Sequence, residues 1–266
     1  MTGKGSNVIT LNSWSDIIDQ LYVDSWEESI KRFRSNYAFR GVPNKDYTME
    51  TSLKRLVKPK WELEYHMMRN FRKYARVEGT GDYSIWNWLV MAQHHGLPTR
   101  LLDWTFSPFV AMHFATSDLN QYDHEGAIWM VDFVKLHERI PDLLRDELER
   151  EGANGFTVEM LSSVSPSLKE FDNLSRENFA IFFDPPSMND RIVNQYAMHS
   201  VISHPGVDME EILDRNPDLW RKIIISKDIK WEIRDKLDQA NINERMLFPG
   251  LDGLSKWLAR HYTPRR

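Results

Sequence analysis

The strand-like run GAIWMVDF at residues 126–133 constrains the fold most, because its apolar residues continue almost without interruption. A short apolar run with bulky side chains is typical of a buried strand. The runs FAIFFD at 179–184 and WRKIIIS at 220–226 predict two further strands, and SNYAFRGV at 35–42 predicts a short one. Helical patterns separate these runs by long and unequal distances, which favours an α+β fold over a doubly wound sheet.

Four segments have the spacing of helices. KWELEYHMMRNFRKYARV at 60–77 and YSIWNWLVMAQHHG at 83–96 come first, and Gly96 is expected to end the second. SPFVAMHFATSDL at 107–119 begins with Ser107 as the expected cap and Pro108 in the first turn. KDIKWEIRDKLDQAN at 227–241 predicts a helix near the C-terminus, whereas RIVNQYAMHSVIS at 191–203 is interpreted as one continuous strand.

Composition excludes several kinds of site. The chain of 266 residues contains no cysteine, which rules out thiol nucleophiles, disulfides and zinc sites with sulfur ligands, and fits a reducing compartment. Its formal net charge of −5 gives no attraction of the whole protein to nucleic acid or anionic lipid. Because no apolar leader or membrane-length run is found, we expect a cytoplasmic protein without membrane contact.

Several widespread catalytic motifs are absent from the sequence. It contains no G-x-G-x-x-G, no Walker loop, no G-x-S-x-G and no H-E-x-x-H. These absences make a Rossmann dehydrogenase, a P-loop NTPase, an α/β-hydrolase and a zinc protease poor interpretations. Three local clusters of polar residues remain as candidates for a functional site.

The first cluster centres on Arg40, which stands in a predicted strand where a hydrophobic residue would be ordinary. In a strand, Arg40 shares one face with Ala38 and Val42. Burying a guanidinium is costly unless an anion meets it. Two interpretations stay open: an ion pair with Asp103, or an anchor for a ligand phosphate, to which Gly41 allows close backbone approach.

The second cluster, MAQHHGLPTRLLDWT at residues 91–105, is the most distinctive run in the chain. Its many polar groups beside a helix C-terminus are more typical of a site than of a core. His94 either takes part in that site or caps the last helical carbonyls. A metal site from His94, His95, His113 and Asp103 is another alternative, although adjacent histidines are poorly spaced for one ion. The candidate site residues of this run are His94, Thr99, Arg100, Asp103, Trp104 and Thr105.

The third cluster is NDRIVNQYAMHSV at residues 189–201. Arg191 and Gln195 are four residues apart and would share one face of the predicted strand. Gln195 is suited to orient a ligand amide or a ribose hydroxyl, and the alternative is an interior polar pair whose hydrogen bonds are satisfied within the protein. Tyr196, like Trp104, is a candidate for stacking on a ligand ring.

Together these clusters resemble the FRG domain family, named for its Phe-Arg-Gly motif. The matching segments, in chain order, are FRG at 39–41, QH at 93–94, GLPTRLLDWT at 96–105, Arg191 with Gln195, LFP at 247–249 and LDG at 251–253. The resemblance implies a helical N-terminal extension over residues 1–30 and an FRG domain over 31–266. Within that domain it implies a variable polar insertion at about 135–178 and a helical C-terminal segment.

The motif order is in turn similar to that of ADP-ribosyltransferase folds, which implies a core of small sheets flanked by helices. Carried over to this sequence, Arg40 would hold a phosphate or ribose of NAD. Thr105, or else Thr99, would take the role of the small hydroxyl residue, and Gln195 would begin the third motif.

The late strand departs from the family's Gln-x-Gly-x-Phe pattern at Ala197 and His199, and it supplies no glutamate. In such transferases a carboxylate stabilises the oxocarbenium-like ribose. Here that role would fall to Asp103, Glu159, Glu170 or a histidine.

The resemblance thus implies an intracellular enzyme that uses NAD as substrate and transfers ADP-ribose to a nucleic-acid or protein acceptor. A toxin or phage-defence effector with a neutralising antitoxin is the expected setting. An NAD glycohydrolase and a non-catalytic nucleotide- or partner-binding module are the alternatives. The expected catalytic residues are His94, Asp103, Thr105 and Gln195, and the expected NAD contacts are Arg40, Gly41, Thr99, Arg100, Trp104 and Tyr196.

Overall fold

A computed structural model describes residues 7–75 and 83–264. The strands are β1 (Val8–Leu11), β2 (Trp26–Glu27), β3 (Arg32–Phe33), β4 (Tyr37–Val42), β5 (Leu102–Thr105), β6 (Gly126–Asp132), β7 (Phe156–Thr157), β8 (Ala180–Asp184), β9 (Ala197–Ile202) and β10 (Trp220–Ile225). The helices are α1 (Trp14–Leu21), α2 (Ser52–Val57), α3 (Leu63–Tyr74), α4 (Ile85–His94), α5 (Pro108–Thr116), α6 (Phe133–His137), α7 (Asp142–Glu151), α8 (Val158–Val164), α9 (Leu168–Asp172), α10 (Asp190–Asn194), α11 (Met209–Asp214), α12 (Lys230–Gln239), α13 (Glu244–Leu247) and α14 (Leu251–His261).

One large mixed sheet organises the described residues. Eight strands follow the order β1-β10-β6-β4-β5-β9-β8-β7, and β2 pairs with β3 in a separate ribbon. Neighbouring strands of the large sheet are antiparallel except β1 with β10 and β7 with β8. The predicted α+β class is confirmed, but the expected small sheets are wrong. Strands from both ends of the chain join one sheet, a long-range pairing that local sequence runs do not specify.

The central strands and their neighbouring helices follow the sequence patterns closely. All residues of β6 are buried, as its apolar run predicts. Helix α4 ends as expected, with Gly96 at φ +82°, a conformation that glycine adopts without strain. Helix α5 begins at Pro108 with the Ser107 side chain accepting from the Val110 N–H. A Cβ on Gly41 would lie 1.8 Å from the Ala111 carbonyl oxygen, so this glycine lets α5 approach β4.

The predicted strand at 191–203 is wrong in its first half. Asn189 caps the short helix α10 by accepting from the Ile192 N–H, and β9 begins only at Ala197. Tyr196, with φ +46°, separates the helix from the strand. A helix followed by a left-handed residue turns the chain sharply, so Arg191 and Gln195 do not share a strand face.

Helices cover both faces of the sheet. On one face α1, α5 and α12 bury a cluster that includes Ile17, Met112 and Ile233. The larger core on the other face includes Trp86 of α4 and Phe171 of α9. Among the described residues, no helix is both long and apolar enough to cross a membrane.

The boundaries proposed from the family resemblance stay predictions, and the structure adds detail to two of them. Part of the predicted N-terminal extension, β1, pairs with β10 in the sheet. The variable polar insertion expected at about 135–178 contains α7, α8 and α9 and most of α6. Its residues Leu144, Phe156 and Phe171 are fully buried in the larger core.

His137 is a buried histidine whose stabilising contacts require the neutral ring. Its Nδ1 lies 2.8 Å from the Asn154 carbonyl oxygen, and its Nε2 accepts from the Phe182 N–H at 2.9 Å. Burial lowers the pKa of His137 to about 4. The unfolded chain, with a histidine pKa of about 6.5, therefore takes up the proton first. Stability is highest above that pH and falls as the pH drops toward the folded-state pKa.

We expect acidification from about pH 7 to about pH 4.5 to cost roughly 2 kcal/mol of unfolding free energy through His137. Urea unfolding at both pH values tests this in the native protein, in His137→Gln and in the exposed-site control His124→Gln. His137→Gln should be less stable at neutral pH but lose less stability on acidification. An unchanged pH dependence in His137→Gln would contradict the assignment.

Candidate functional site

A cavity of about 250 Å³ lies where β4, β5 and β9 meet the C-terminal end of α4 and the short helix α10. Its polar lining comes from all three sequence clusters, which are far apart in the chain. These side chains include Arg40, Gln93, His94, Asp103, Arg191 and His199. The structure therefore brings the three candidate clusters together at one place.

Arg40 lies in the gap between two neighbouring strands. In the described chain, β4 and β5 pair at a single register position, Phe39 opposite Thr105. The Arg40 Nη1 donates to the Asp103 main-chain carbonyl and so bridges the strands. Its Nε is buried without a hydrogen-bond partner among the described residues. The predicted ion pair with Asp103 is replaced by this main-chain contact, which leaves part of the guanidinium available to an anion.

Asp103 and His199 form the central pair of the site. They lie opposite each other in β5 and β9, so their side chains project on the same face. Asp103 Oδ1 lies 3.3 Å from His199 Nδ1. The Asp103 side chain is 65% exposed and that of His199 only 8%. The carboxylate therefore faces the cavity, and the buried imidazole packs against it.

Gln93, at the end of α4, and Thr99, in the loop before β5, fix the Asp103 carboxylate. The Gln93 Nε2 donates to Asp103 Oδ1 at 3.0 Å. The Thr99 hydroxyl donates to Gln93 Oε1 and also accepts from the Leu101 N–H at 3.1 Å. Thr99 is 1% exposed, so its expected direct contact with a ligand is corrected: it orients Gln93, and Gln93 orients Asp103.

The charge of Asp103 is favoured by its neighbours. The protein atoms around the carboxylate oppose its ionisation, but the adjacent His199 imidazole, the Arg40 charge and the Gln93 hydrogen bond outweigh this effect. Together they hold the pKa of Asp103 below its usual range. The carboxylate is therefore ionised across the physiological pH range and can stabilise a developing positive charge.

His94 is held neutral at the edge of the cavity. Burial lowers its pKa, and the charge of Arg191 lowers it further. Asn189 Nδ2 lies 2.9 Å from His94 Nε2, so the neutral ring accepts a hydrogen bond there. The helix end itself is closed by main-chain bonds, including Gly96 N–H to the Gln93 carbonyl, rather than by His94 as a cap.

Thr105 and Gln195 line the cavity but have partners in the surrounding loop. The Thr105 hydroxyl donates to the Gln195 carbonyl at 2.7 Å and accepts from the Ser107 N–H. Gln195 Nε2 donates to the Leu247 carbonyl at 2.9 Å. The C-terminal LFP motif thereby reaches the site through main-chain contacts. The exposed Arg191 lies at the mouth, with its Cζ 5.1 Å from the centre of the Phe248 ring.

Arg100 does not belong to the cavity, which corrects its expected contact with NAD. It is 2% exposed, and its guanidinium pairs with Glu64 of α3 and with Asp172 of α9. Burial alone would lower the pKa of Arg100, but these carboxylates raise it. A guanidinium with both carboxylates in contact has no free donor edge for a phosphate.

The two aromatic stacking candidates stay predictions, and of the two, Trp104 is among the described residues that line the cavity. Trp104 is 3% exposed, and its indole N–H donates to the Ser200 hydroxyl at 2.8 Å. Tyr196 is 64% exposed and lies outside the lining. Of the alternative carboxylates, Glu159 and Glu170 belong to α8 and α9 and do not line the cavity. Asp103 is the one carboxylate in the described lining.

His199 and Asn189 are functional candidates that sequence reasoning missed. His199 appeared only as a departure from the family pattern, although its position opposite Asp103 follows from strand register. A metal site at the histidines finds no support in residues 7–75 and 83–264, which contain no suitable group of three ligands. His113, one of the proposed ligands, instead faces Arg234 at 2.9 Å.

Comparison with known proteins gives one family match. Residues 35–124 match the family model described as FRG domain. That segment includes the FRG motif, the QHHGLPTRLLDWT run and β4, β5 and α5. No curated protein and no solved structure gives a significant match to this chain.

The same substitution at the two arginines should destabilise the protein to different extents. Arg40→Met removes one main-chain hydrogen bond and a buried donor without a partner, so it should cost about 1 kcal/mol of unfolding free energy. Arg100→Met leaves Glu64 buried without its counter-charge and should cost about 3–5 kcal/mol. Urea unfolding of both variants measures the difference. Equal costs would show that Arg40 is as structural as Arg100.

Proposed function

Residues 35–124 belong to the FRG domain family, and from that premise we propose that the cavity binds NAD and that the chain transfers ADP-ribose to an acceptor. The observation that carries this proposal is Asp103, an ionised carboxylate that accepts from Gln93, lies against His199 and is near the Arg40 charge. Such an arrangement suits a reaction in which positive charge develops on a sugar beside a phosphate group.

Arg40 and Arg191 are assigned to the diphosphate of NAD. The Arg40 Nε has no hydrogen-bond partner in the described structure, although it is buried. A phosphate oxygen would supply the missing acceptor and a charge-assisted bond. Arg191 is exposed at the mouth and held over Phe248, where it can reach a second phosphate.

In the proposed reaction the bond between the nicotinamide nitrogen and ribose C1 breaks, and its electron pair leaves with neutral nicotinamide. The positive charge remains on C1 and the ring oxygen, where the Asp103 carboxylate stabilises it. A nucleophile on a nucleic acid or protein then bonds to C1. The proton that this nucleophile loses passes to the neutral His94 imidazole at the edge of the cavity. With water as the nucleophile, the same steps give an NAD glycohydrolase.

Cavity size favours a second candidate, a nucleotide-binding module without turnover. A volume of about 250 Å³ lies just below the usual range for ligand pockets, which is about 300–1,000 Å³. One nucleotide half of NAD would fill it, and the other half would extend through the mouth past Arg191. A mononucleotide would fill it by itself. Turnover therefore decides between the two candidates.

We assign this activity to the cytoplasm, in a toxin or phage-defence effector that a partner protein neutralises. The lack of cysteine fits a reducing compartment. Expression of the native chain should then slow the growth of host cells, and Asp103→Asn should restore growth. A growth defect of equal size in both would argue against an NAD-dependent effect.

Asp103→Asn keeps the side-chain shape and removes the charge, so we expect nicotinamide release from NAD to fall about a hundredfold. Arg40→Met should mainly weaken NAD binding. Chromatographic detection of nicotinamide measures turnover, and the thermal shift with NAD measures binding. Asp214→Asn, at an exposed carboxylate away from the cavity, is the matched control.

The outcomes separate the candidates. Nicotinamide release that depends on Asp103 supports the enzyme. A thermal shift with NAD or a mononucleotide, lost in Arg40→Met and without nicotinamide release, supports the binding module instead. If millimolar NAD gives no nicotinamide release and no thermal shift, both candidates are refuted.

A further inference from the structure

A second concave surface lies on α3, away from the candidate site. It is a groove of about 820 Å³ between α3, the start of α4 and the start of α9. We call it the α3 groove. Its apolar surface comes from Met68, Ile85, Trp88, Pro166 and Leu168. None of these residues lines the cavity that contains Asp103, so the groove is a separate surface from the proposed NAD site.

The floor of the α3 groove combines one aromatic ring with several aliphatic side chains. The Trp88 ring packs edge-on against Phe71 and Tyr83, with centroids 6.2 and 5.8 Å away. Met68 and Leu168 are 4% and 2% exposed and close the floor from two different helices. Preorganised apolar floors of this kind suit side chains inserted by a partner, because little conformational entropy is lost in the groove itself.

The rim of the α3 groove is strongly cationic. Arg69, Arg72, Lys73 and Lys169 are exposed and line it, and the described lining contains no carboxylate. None of the four forms an ion pair within the described parts of the chain. Their contacts are weaker: Arg69 approaches the His66 ring at 2.9 Å, and Arg72 lies 5.9 Å from the Trp88 ring centre.

This charge pattern contrasts with the rest of the molecule. The chain has a formal net charge of −5, so four cations with no carboxylate in the described lining are a local reversal of sign. Tyr65, at one end of the groove, contacts the carboxylate of Asp172, but that carboxylate is already paired with Arg100. A partner with negative charge on both sides of an apolar stripe would complement the groove in charge and polarity.

The geometry points to a helical partner. The residues that α3 contributes, at positions 65, 68, 69, 72 and 73, lie on one face of the helix over two turns. An amphipathic helix places its anchors at matching intervals of three and four residues. We propose that the α3 groove docks an acidic amphipathic helix of another protein, with aliphatic or aromatic anchors on the floor and carboxylates at the rim.

Nucleic acid is the less favoured occupant of a basic and aromatic surface. Single-stranded nucleic acid needs open ring faces on which bases stack. The Trp88 ring is already in contact with Phe71, Tyr83 and the Arg72 guanidinium, and the remaining floor is aliphatic. Such a floor suits Leu, Ile or Phe side chains better than bases with polar edges.

The test uses the full chain and a fluorescein-labelled synthetic helix of about 15 residues, with leucines three and four apart and glutamates elsewhere. Fluorescence polarisation should show saturable binding that weakens as salt rises from about 50 to about 300 mM. The double variant Arg72→Glu/Lys73→Glu should weaken binding about tenfold or more. Lys60→Glu/Arg215→Glu makes the same change in charge at exposed cations outside the groove and should bind as the native protein does.

Other occupants give different results, and each overturns the proposal. Equal binding of the same helix with lysines in place of glutamates would remove the charge argument. Binding of oligothymidylate without binding of the acidic helix would assign the groove to nucleic acid. A dimer in sedimentation velocity that dissociates in Arg72→Glu/Lys73→Glu would assign it to a second copy. Because neither residue lines the NAD cavity, nicotinamide release is measured separately and has no bearing on this result.

Discussion

The divergence of β4 from β5 is the constraint on which the candidate site depends. The two strands meet at Phe39 and Thr105, and beyond that position the Arg40 side chain replaces the missing main-chain partner of Asp103. A continuous ladder would have closed the sheet at this point. The gap instead leaves space for a cavity above the centre of the sheet. It also places a guanidinium and a carboxylate side by side without pairing them directly.

Arg40, in β4, and Arg100, just before β5, show how one residue type serves two purposes in the same fold. Arg100 is surrounded by two carboxylates, so its charge is neutralised inside the protein and it stabilises the fold. Arg40 has a main-chain carbonyl and one unsatisfied nitrogen, so its charge is not neutralised in the same way. Burial lowers the pKa of Arg40, and nearby Asp103 only partly offsets this effect. A bound anion would complete the environment of Arg40, whereas Arg100 needs none.

Local patterns predicted several of the central elements, and long-range pairing explains much of what they missed. The apolar run of β6, the Ser107–Pro108 start of α5 and the Gly96 end of α4 are local features, and each was predicted correctly. The order of the large sheet depends on contacts between β1 and β10, far apart in the chain. No local pattern contains that information.

The candidate site shows the same division. The three clusters were found by their unusual polar residues, and the structure brings them to one cavity. Arg100 was misassigned because its partner Glu64 lies in a different predicted helix and nothing local links the two. His199 was missed because its importance depends on the register between β5 and β9. The helix α10 was missed because its apolar residues, Ile192 and Val193, are equally common in strands.

The Arg100 ion cluster also relates the candidate site to the α3 groove. Glu64 lies at the start of α3 and Asp172 at the end of α9, and both helices form walls of that groove. Arg100 stands two residues before β5, the strand that carries Asp103. One buried cluster therefore clamps the groove walls onto the strand that forms the cavity. Both surfaces are preorganised by the same contact, and a buried ion pair of this kind gives a fixed geometry to each rather than a large gain in stability.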